Sequence, residues 1–259
     1  MSTINICIGH LPFPENFAGY VDLMLSPVPL NTCSRTIHVP DNTFGPYGDT
    51  LSEYAQLLWL LDHLDDILAG HRFLRVFHYR RFIAPIRPAQ AASALNQPWA
   101  MVIQANELDQ YESAFDRSEE SELINTQMSF DQGVLGQYAQ VHVLEDMVNF
   151  GRFLAQAKVL PGQQVLGFMN MKTFIPSSSI ATYGKENFRA IFSVLRRAAA
   201  FMESPYYQRR EGYQRRAMGF LLERLNSYLV LLRMAQGRLA ATQGQNMVIS
   251  DELSISTTS

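Results

Sequence analysis

Apolar positions fall into short, β-prone runs in the first half of the chain and into helical stripes in the second. Ile4-Asn5-Ile6-Cys7-Ile8 is ended by Gly9 and His10, and Leu11-Pro12-Phe13-Pro14 cannot continue it, so a first buried strand with a loop at its carboxyl end is predicted. Residues 11–48 carry Pro12, Pro14, Pro27, Pro29, Pro40 and Pro46, with short strands expected only near 21–25 and 36–39. A loop-rich stretch of that length inside a compact domain is usually functional or locally mobile. Phe73-Leu74-Arg75-Val76-Phe77 predicts a second buried strand, which runs into His78-Tyr79-Arg80-Arg81-Phe82 before Pro85 and Pro88 stop any regular element. Trp99-Ala100-Met101-Val102-Ile103 predicts a third, leading into an acidic loop over residues 106–122.

The helical signal begins at Thr50-Leu51-Ser52-Glu53, which has capping-box form and predicts a helix start there. Leu51, Tyr54, Leu57, Leu58, Leu61, Leu64 and Leu68 keep helical spacing up to a stop at Gly70. A helical face recurs over 131–157 through Val134, Tyr138, Val141, Leu144, Met147 and Phe150; residues 165–175 read as mixed and partly extended. Two more helices are expected over 185–202 and 209–241, and a polar, Ser/Thr-rich tail from Gln243 reads as disordered. The order predicts an α/β sheet backed by a helical C-terminal half in a single domain over residues 1–242, with 243–259 as the tail.

Composition narrows the class. The 259 residues suffice for one large domain, with 47% hydrophobic and 17% charged residues, as in a globular protein. A formal charge of −3 leaves no electrostatic footprint for nonspecific nucleic-acid binding. Cys7 and Cys33 are the only cysteines, with no disulfide or zinc framework, which fits a reducing compartment. No leader pattern and no apolar run of membrane-spanning length is seen, so a soluble or at most peripheral protein is expected.

The candidate chemistry sits at the end of the second strand. Ligands of open α/β sheets bind beyond the carboxyl ends of strands, which would put His78, Tyr79, Arg80 and Arg81 at the mouth of a crevice. Two guanidiniums there suit a phosphate or carboxylate. Adjacent strand residues point to opposite faces, so one Arg could equally be solvated or paired with a core carboxylate. Asp62, Asp65 and Asp66 could hold a metal, but a solvated helix face explains them better.

Several stretches together resemble a family of bacterial glycosyltransferase-like proteins from capsular and exopolysaccharide loci. They are Ile6-Cys7-Ile8-Gly9-His10, Gly48-Asp49-Thr50-Leu51-Ser52-Glu53, Leu57-Leu58-Trp59, His78-Tyr79-Arg80-Arg81-Phe82, Asn170-Met171-Lys172-Thr173-Phe174-Ile175, and residues 216–225, Arg-Ala-Met-Gly-Phe-Leu-Leu-Glu-Arg-Leu. Lys172-Thr173 and Leu58 depart from the family pattern. The resemblance implies a GT-A-like nucleotide-diphospho-sugar transferase fold, with a donor side over 1–125 and an acceptor side over 126–242. It also implies transfer of a sugar from a nucleotide-diphospho-sugar to a glycan or lipid-linked acceptor in surface polysaccharide synthesis, in the cytoplasm or at the inner face of the membrane. Many GT-A enzymes hold a metal with Asp-x-Asp, a motif this sequence lacks, so Arg80 and Arg81 are expected to neutralise the diphosphate with no cofactor, a divalent metal being the alternative. Glu223 is the expected base, although a Glu beside Arg224 on a helix commonly forms an ion pair. His10, Asp49, His78, Tyr79, Asn170 and Arg216 are the expected donor-binding residues; His10 could equally be structural and Asp49 a helix cap. A His142–Asp146 charge pair on one helix face reads as structural. A non-catalytic nucleotide-sugar-binding module and a phosphate-ester hydrolase remain alternatives.

Overall fold

The computed structural model describes residues 2–30, 35–85 and 100–250. Cys33, Trp99 and the tail beyond Ser250 lie outside the described residues.

β1 (Thr3–Ile8) is buried along its whole length. A single turn, α1 (Glu15–Ala18), separates it from β2 (Leu23–Ser26), and β3 (Thr36–His38) follows; β1, β2 and β3 are parallel neighbours. A 3₁₀ segment over Asp41–Leu51 then leads into α2 (Tyr54–Asp62) and α3 (Leu64–Leu68). This crossover returns the chain as β4 (Phe73–His78), parallel to β1 on its other side and in register from Thr3↔Phe73 to Ile8↔His78. β5 (Arg81–Pro85) turns back from β4; β6 (Ala100–Gln104), a 3₁₀ segment (Ala105–Phe115), β7 (Glu122–Asn125) and β8 (Met128–Ser129) come next. The helical half comprises α4 (Gly133–Val141), α5 (Leu144–Gln156), α6 (Gly162–Met169), α7 (Lys185–Ala199) and α8 (Ala217–Ala235). Two short strands, β9 (Thr173–Phe174) and β10 (Thr182–Gly184), interrupt it, and β11 (Ala241–Ser250) ends it.

The main sheet runs β10-β7-β11-β5-β4-β1-β2-β3, with β6 also on β11 and β10 also on β4; β8 and β9 form a separate ribbon. Period-two alternation divides the apolar side chains between two cores. Ile4, Ile6, Ile8, Leu74 and Val76 face the larger one, shared with α2, α7 and α8; Cys7, Met24 and Phe77 face the smaller one, around Phe17, Phe82 and Phe115. No described helix is long and apolar enough to cross a membrane.

Four expectations are corrected. The tail expected from Gln243 is, up to Ser250, part of β11, which pairs with β5, β6 and β7. Its polar residues hid it: Met247 and Ile249 are buried in the smaller core, while Asn246, fully buried, makes a hydrogen bond to Ser177. The capping box at Thr50 does not form. Helix α2 starts at Tyr54, because Ser52 adopts φ 55° and its hydroxyl serves Glu53 and Arg216 instead of a helical N–H, while Thr50 bonds the Tyr47 carbonyl. The continuous helix expected over 131–157 is two, broken at His142–Val143, and 165–175 opens with the end of α6 before the short β9. The long helix expected over 209–241 is shorter, since α8 is preceded by a 3₁₀ turn (Gly212–Arg216) and followed by β11.

Candidate functional site

The β4–β5 connection is a two-residue turn, Tyr79-Arg80, with His78 opposite Arg81. It is tied on both sides: the Tyr79 N–H donates to the Ile8 carbonyl at 3.0 Å, and the Ile249 N–H donates to the Arg80 carbonyl at 2.8 Å. Gly9, at the end of β1, lets Tyr79 lie down on it. A Cβ at Gly9 would stand 2.5 Å from Tyr79 Cδ1, and the backbone there has φ +146°. Because the strand ends at His78, the pleat no longer separates the two arginines. Both Arg80 and Arg81 line one cleft of about 560 Å³.

The opposite wall is α8. Gly219, Phe220, Glu223 and Arg224 line the cleft at helical i, i+1, i+4, i+5 spacing, with Arg216 just before the helix. Gly219 permits a close approach to the loop before α2, since a Cβ there would lie 3.1 Å from the Leu51 carbonyl oxygen and 3.0 Å from Ser52 Cβ. That approach sets Ser52 against Arg216 (Nη2 to Oγ 2.7 Å) and brings Glu53 into the cleft. The floor includes Ser177 and Ser179, from the loop between β9 and β10.

Charge is unevenly matched. Arg215 lies 3.7 Å from Asp49, Arg216 3.6 Å from Glu53 and Arg224 3.6 Å from Glu223. Among the described residues Arg80 and Arg81 have no such carboxylate partner, and the buried Nε of Arg81 has no hydrogen-bond partner. Burial, followed by the charge of Arg80, lowers the pKa of Arg81, so an anion arriving here would relieve an existing electrostatic penalty. Arg80 lies over the Tyr79 ring at 5.4 Å. Burial, together with Arg81, Arg80 and His10, brings His78 down to about 3 against the opposing pull of Glu53, so its imidazole is neutral near pH 7.

The two glutamates differ. Burial works against charge on Glu53, but the Ser52 hydroxyl and Arg216 are among the groups that more than offset it and keep it ionised. At Glu223 burial wins: its pKa is raised, with Glu53 pushing the same way, while Arg224 and the Ser177 N–H (2.9 Å to Oε1) restrain the shift. Two carboxylates pushed in opposite directions in one cleft suit different roles in proton transfer.

Of the residues expected from sequence, His10, Asp49, His78, Tyr79, Arg80, Arg81, Arg216 and Glu223 come together here. Asn170 does not. It sits exposed at the end of α6, its side-chain amide donating to the Leu166 carbonyl at 2.9 Å. The His142–Asp146 pair does not form either; Asp146 binds Arg210 at 2.8 Å and His142 faces Gln214 at 3.3 Å. Asp62 and Asp65 pair with Arg196 and with Lys185 and Arg189, as residues of a solvated face. Sequence reasoning missed Glu53 and Arg224 as cleft residues. Arg224 was read only as an ion-pair partner of Glu223 within the segment 216–225, a pair that forms at 3.6 Å, and Glu53 was masked by its apparent capping role. Among the described residues no three His, Cys, Asp or Glu side chains cluster closely enough to hold a metal ion.

Neither a family of known proteins nor a curated relative matches the chain. Among solved structures, the apo WbbM bifunctional glycosyltransferase shares the fold, with a TM-score of 0.74 at 14% identity over 97% of this chain. This chain spans 46% of that protein, and the likeness is one of mixed α/β architecture built on a central sheet.

Proposed function

We propose that the protein is a GT-A-like glycosyltransferase that moves a sugar from a nucleotide-diphospho-sugar donor to a glycan or lipid-linked acceptor in surface polysaccharide synthesis. The observation that carries this reading is the pair of unmatched guanidiniums, Arg80 and Arg81, facing a cleft that also holds a carboxylate of raised pKa, Glu223. The fold shared with a bifunctional glycosyltransferase supports it.

In this reading Arg80 and Arg81 bind the donor diphosphate. His10, Tyr79 and neutral His78 flank it, with Asp49 and Arg216 on the facing wall. The Glu223 carboxylate accepts the proton of the acceptor hydroxyl as that oxygen bonds to the anomeric carbon. The bond from the anomeric carbon to the diphosphate oxygen breaks, and its electron pair leaves on the nucleoside diphosphate, where the two guanidiniums balance the developing charge. Fixed cations aimed at that charge take the part a metal has elsewhere; losing one such donor typically costs ~10²–10³ in turnover.

The test is a donor screen that follows nucleoside diphosphate release with and without acceptor. A productive donor, with Glu223→Gln slowing turnover ~10²–10⁴-fold as expected for loss of a general base, supports the reading. Donor binding without release identifies a binding module. Turnover abolished by a chelator and restored by manganese overturns the metal-independent part.

A further inference from the structure

Beneath the cleft lies a loop whose backbone is held from several directions. The Ile175 N–H donates to Ser227 Oγ at 2.8 Å, and the Pro176 carbonyl accepts from Asn125 Nδ2 at 2.9 Å. The Ser178 carbonyl takes two bonds, from Tyr183 Oη at 2.6 Å and Asn226 Nδ2 at 2.9 Å, and Ser177 Oγ lies 3.3 Å from Asn246 Nδ2. Asn125, Asn226 and Asn246 are each fully buried and come from β7, α8 and β11. Burying a primary amide is costly unless it is hydrogen-bonded; all three donate through Nδ2 into this loop, while Asn226 Oδ1 and Asn246 Oδ1 are left without a partner among the described residues. Ser177 is held at φ 52°, a left-handed conformation that a serine rarely adopts unaided. Strain at a residue so tightly surrounded points to function. Its result is that the Ser177 N–H turns to Glu223 Oε1 at 2.9 Å, while Ser178 Oγ donates to the Glu223 carbonyl at 3.0 Å.

We propose that the Pro176–Ser179 loop is a cradle built for the Glu223 carboxylate, and that Asn246 of β11 is a positioning residue that acts on it through Ser177. The inference rests on the glycosyl-transfer reading, in which Glu223 is the base, and adds what holds that base in place. The groups facing Glu223 are Arg224 on its own helix, Glu53 and Tyr54 at the start of α2, and Arg81 at the start of β5; the loop supplies only the neutral N–H. Removing the Asn246 bond frees Ser177 to leave its strained conformation, and the carboxylate then loses its donor.

The test uses the full chain in Asn246→Leu, Ser177→Ala and the double variant, with kcat, donor KM and the pH profile measured for each. Each single variant is expected to lower kcat roughly tenfold, the low end for loss of a group that orients a reacting side chain. Donor KM should hold, and the acid limb of kcat should move to higher pH, because a carboxylate without its N–H donor protonates more readily. The double variant should be no worse than either single, since both cut one link. A lowered melting temperature with unchanged kcat and acid limb overturns the inference. If Asn246→Leu does not fold, Ser177→Ala decides alone. Glu223→Gln separates the two ideas: full activity there overturns the function reading, whereas an inactive Glu223→Gln beside an unaltered Ser177→Ala overturns only the cradle.

Discussion

Arg75 and Arg81 stand six positions apart on neighbouring strands, yet their surroundings are opposite. Arg75, on the smaller-core face of β4, is 3% exposed and bonds Thr182 Oγ1, the Asp116 carbonyl and Glu119, all at 3.1 Å, with only its Nη1 left without a partner among the described residues. Arg81 is half-buried at the head of β5, beside another guanidinium, with a buried Nε that nothing satisfies. A buried charge with partners is part of the scaffold. A partly buried charge without them is held where a ligand can complete it. The far side of the sheet ties its arginine into the fold, and the cleft side leaves two arginines without a carboxylate among the described residues, the gap that the proposed donor diphosphate would fill.

That contrast can be broken first by activity. Arg81→Ala should slow donor turnover ~10²–10³-fold with little change in melting temperature, read by nucleoside diphosphate release; full activity would put Arg81 in the same class as Arg75. Arg75→Ala should do the reverse, lowering unfolding stability by about 3 kcal/mol in urea titrations while the folded fraction keeps its turnover. The loss is no larger because Glu119, 38% exposed, can return to water.

The turn that presents the arginines is sharpened by Gly9→Ala. It should cost about 1–3 kcal/mol through the positive φ and the clash with Tyr79. It should also raise donor KM, since Tyr79-Arg80 must shift to make room. A stable variant with unchanged KM would mean that the turn does not depend on the packing of Tyr79 on Gly9.

The effect that is smallest near neutral pH comes from titration. The folded protein holds His78 neutral down to about 3, whereas an ordinary histidine protonates near 6.5, so the unfolded chain takes up a proton that the folded chain refuses. Stability should therefore fall as pH drops from about 6.5 towards 3. His142, brought down to about 4 mainly by burial, acts in the same direction. His78→Asn should flatten part of that slope in unfolding curves taken at successive pH values, leaving the part due to His142. An identical slope in the variant would mean that His78 protonates as freely in the folded chain as in the unfolded one.

The sequence by itself determined the early strands, the crossover through α2 and the basic end of β4, because these depend on local apolar period and on prolines and glycines that punctuate it. Ile4 to Ile8 and Phe73 to Phe77 could be read as buried strands for that reason, and the basic cluster stood where β4 had to end. Only the tertiary structure decided what the cluster faces. Glu53 read as a capping residue because its four-residue pattern is locally sufficient; the close packing of Gly219 and the pull of Arg216 on Ser52 redirected it into the cleft. β11 was invisible for the same reason in reverse. Its Gln, Asn and Gly residues carry no strand signal alone, and it is held by backbone pairing to β5, β6 and β7 and by amides that find partners only after folding. Short-range patterns are written in the chain, but a site assembled from α8, the β4–β5 turn and a strained serine loop depends on contacts between residues more than a hundred positions apart, and no local period encodes those.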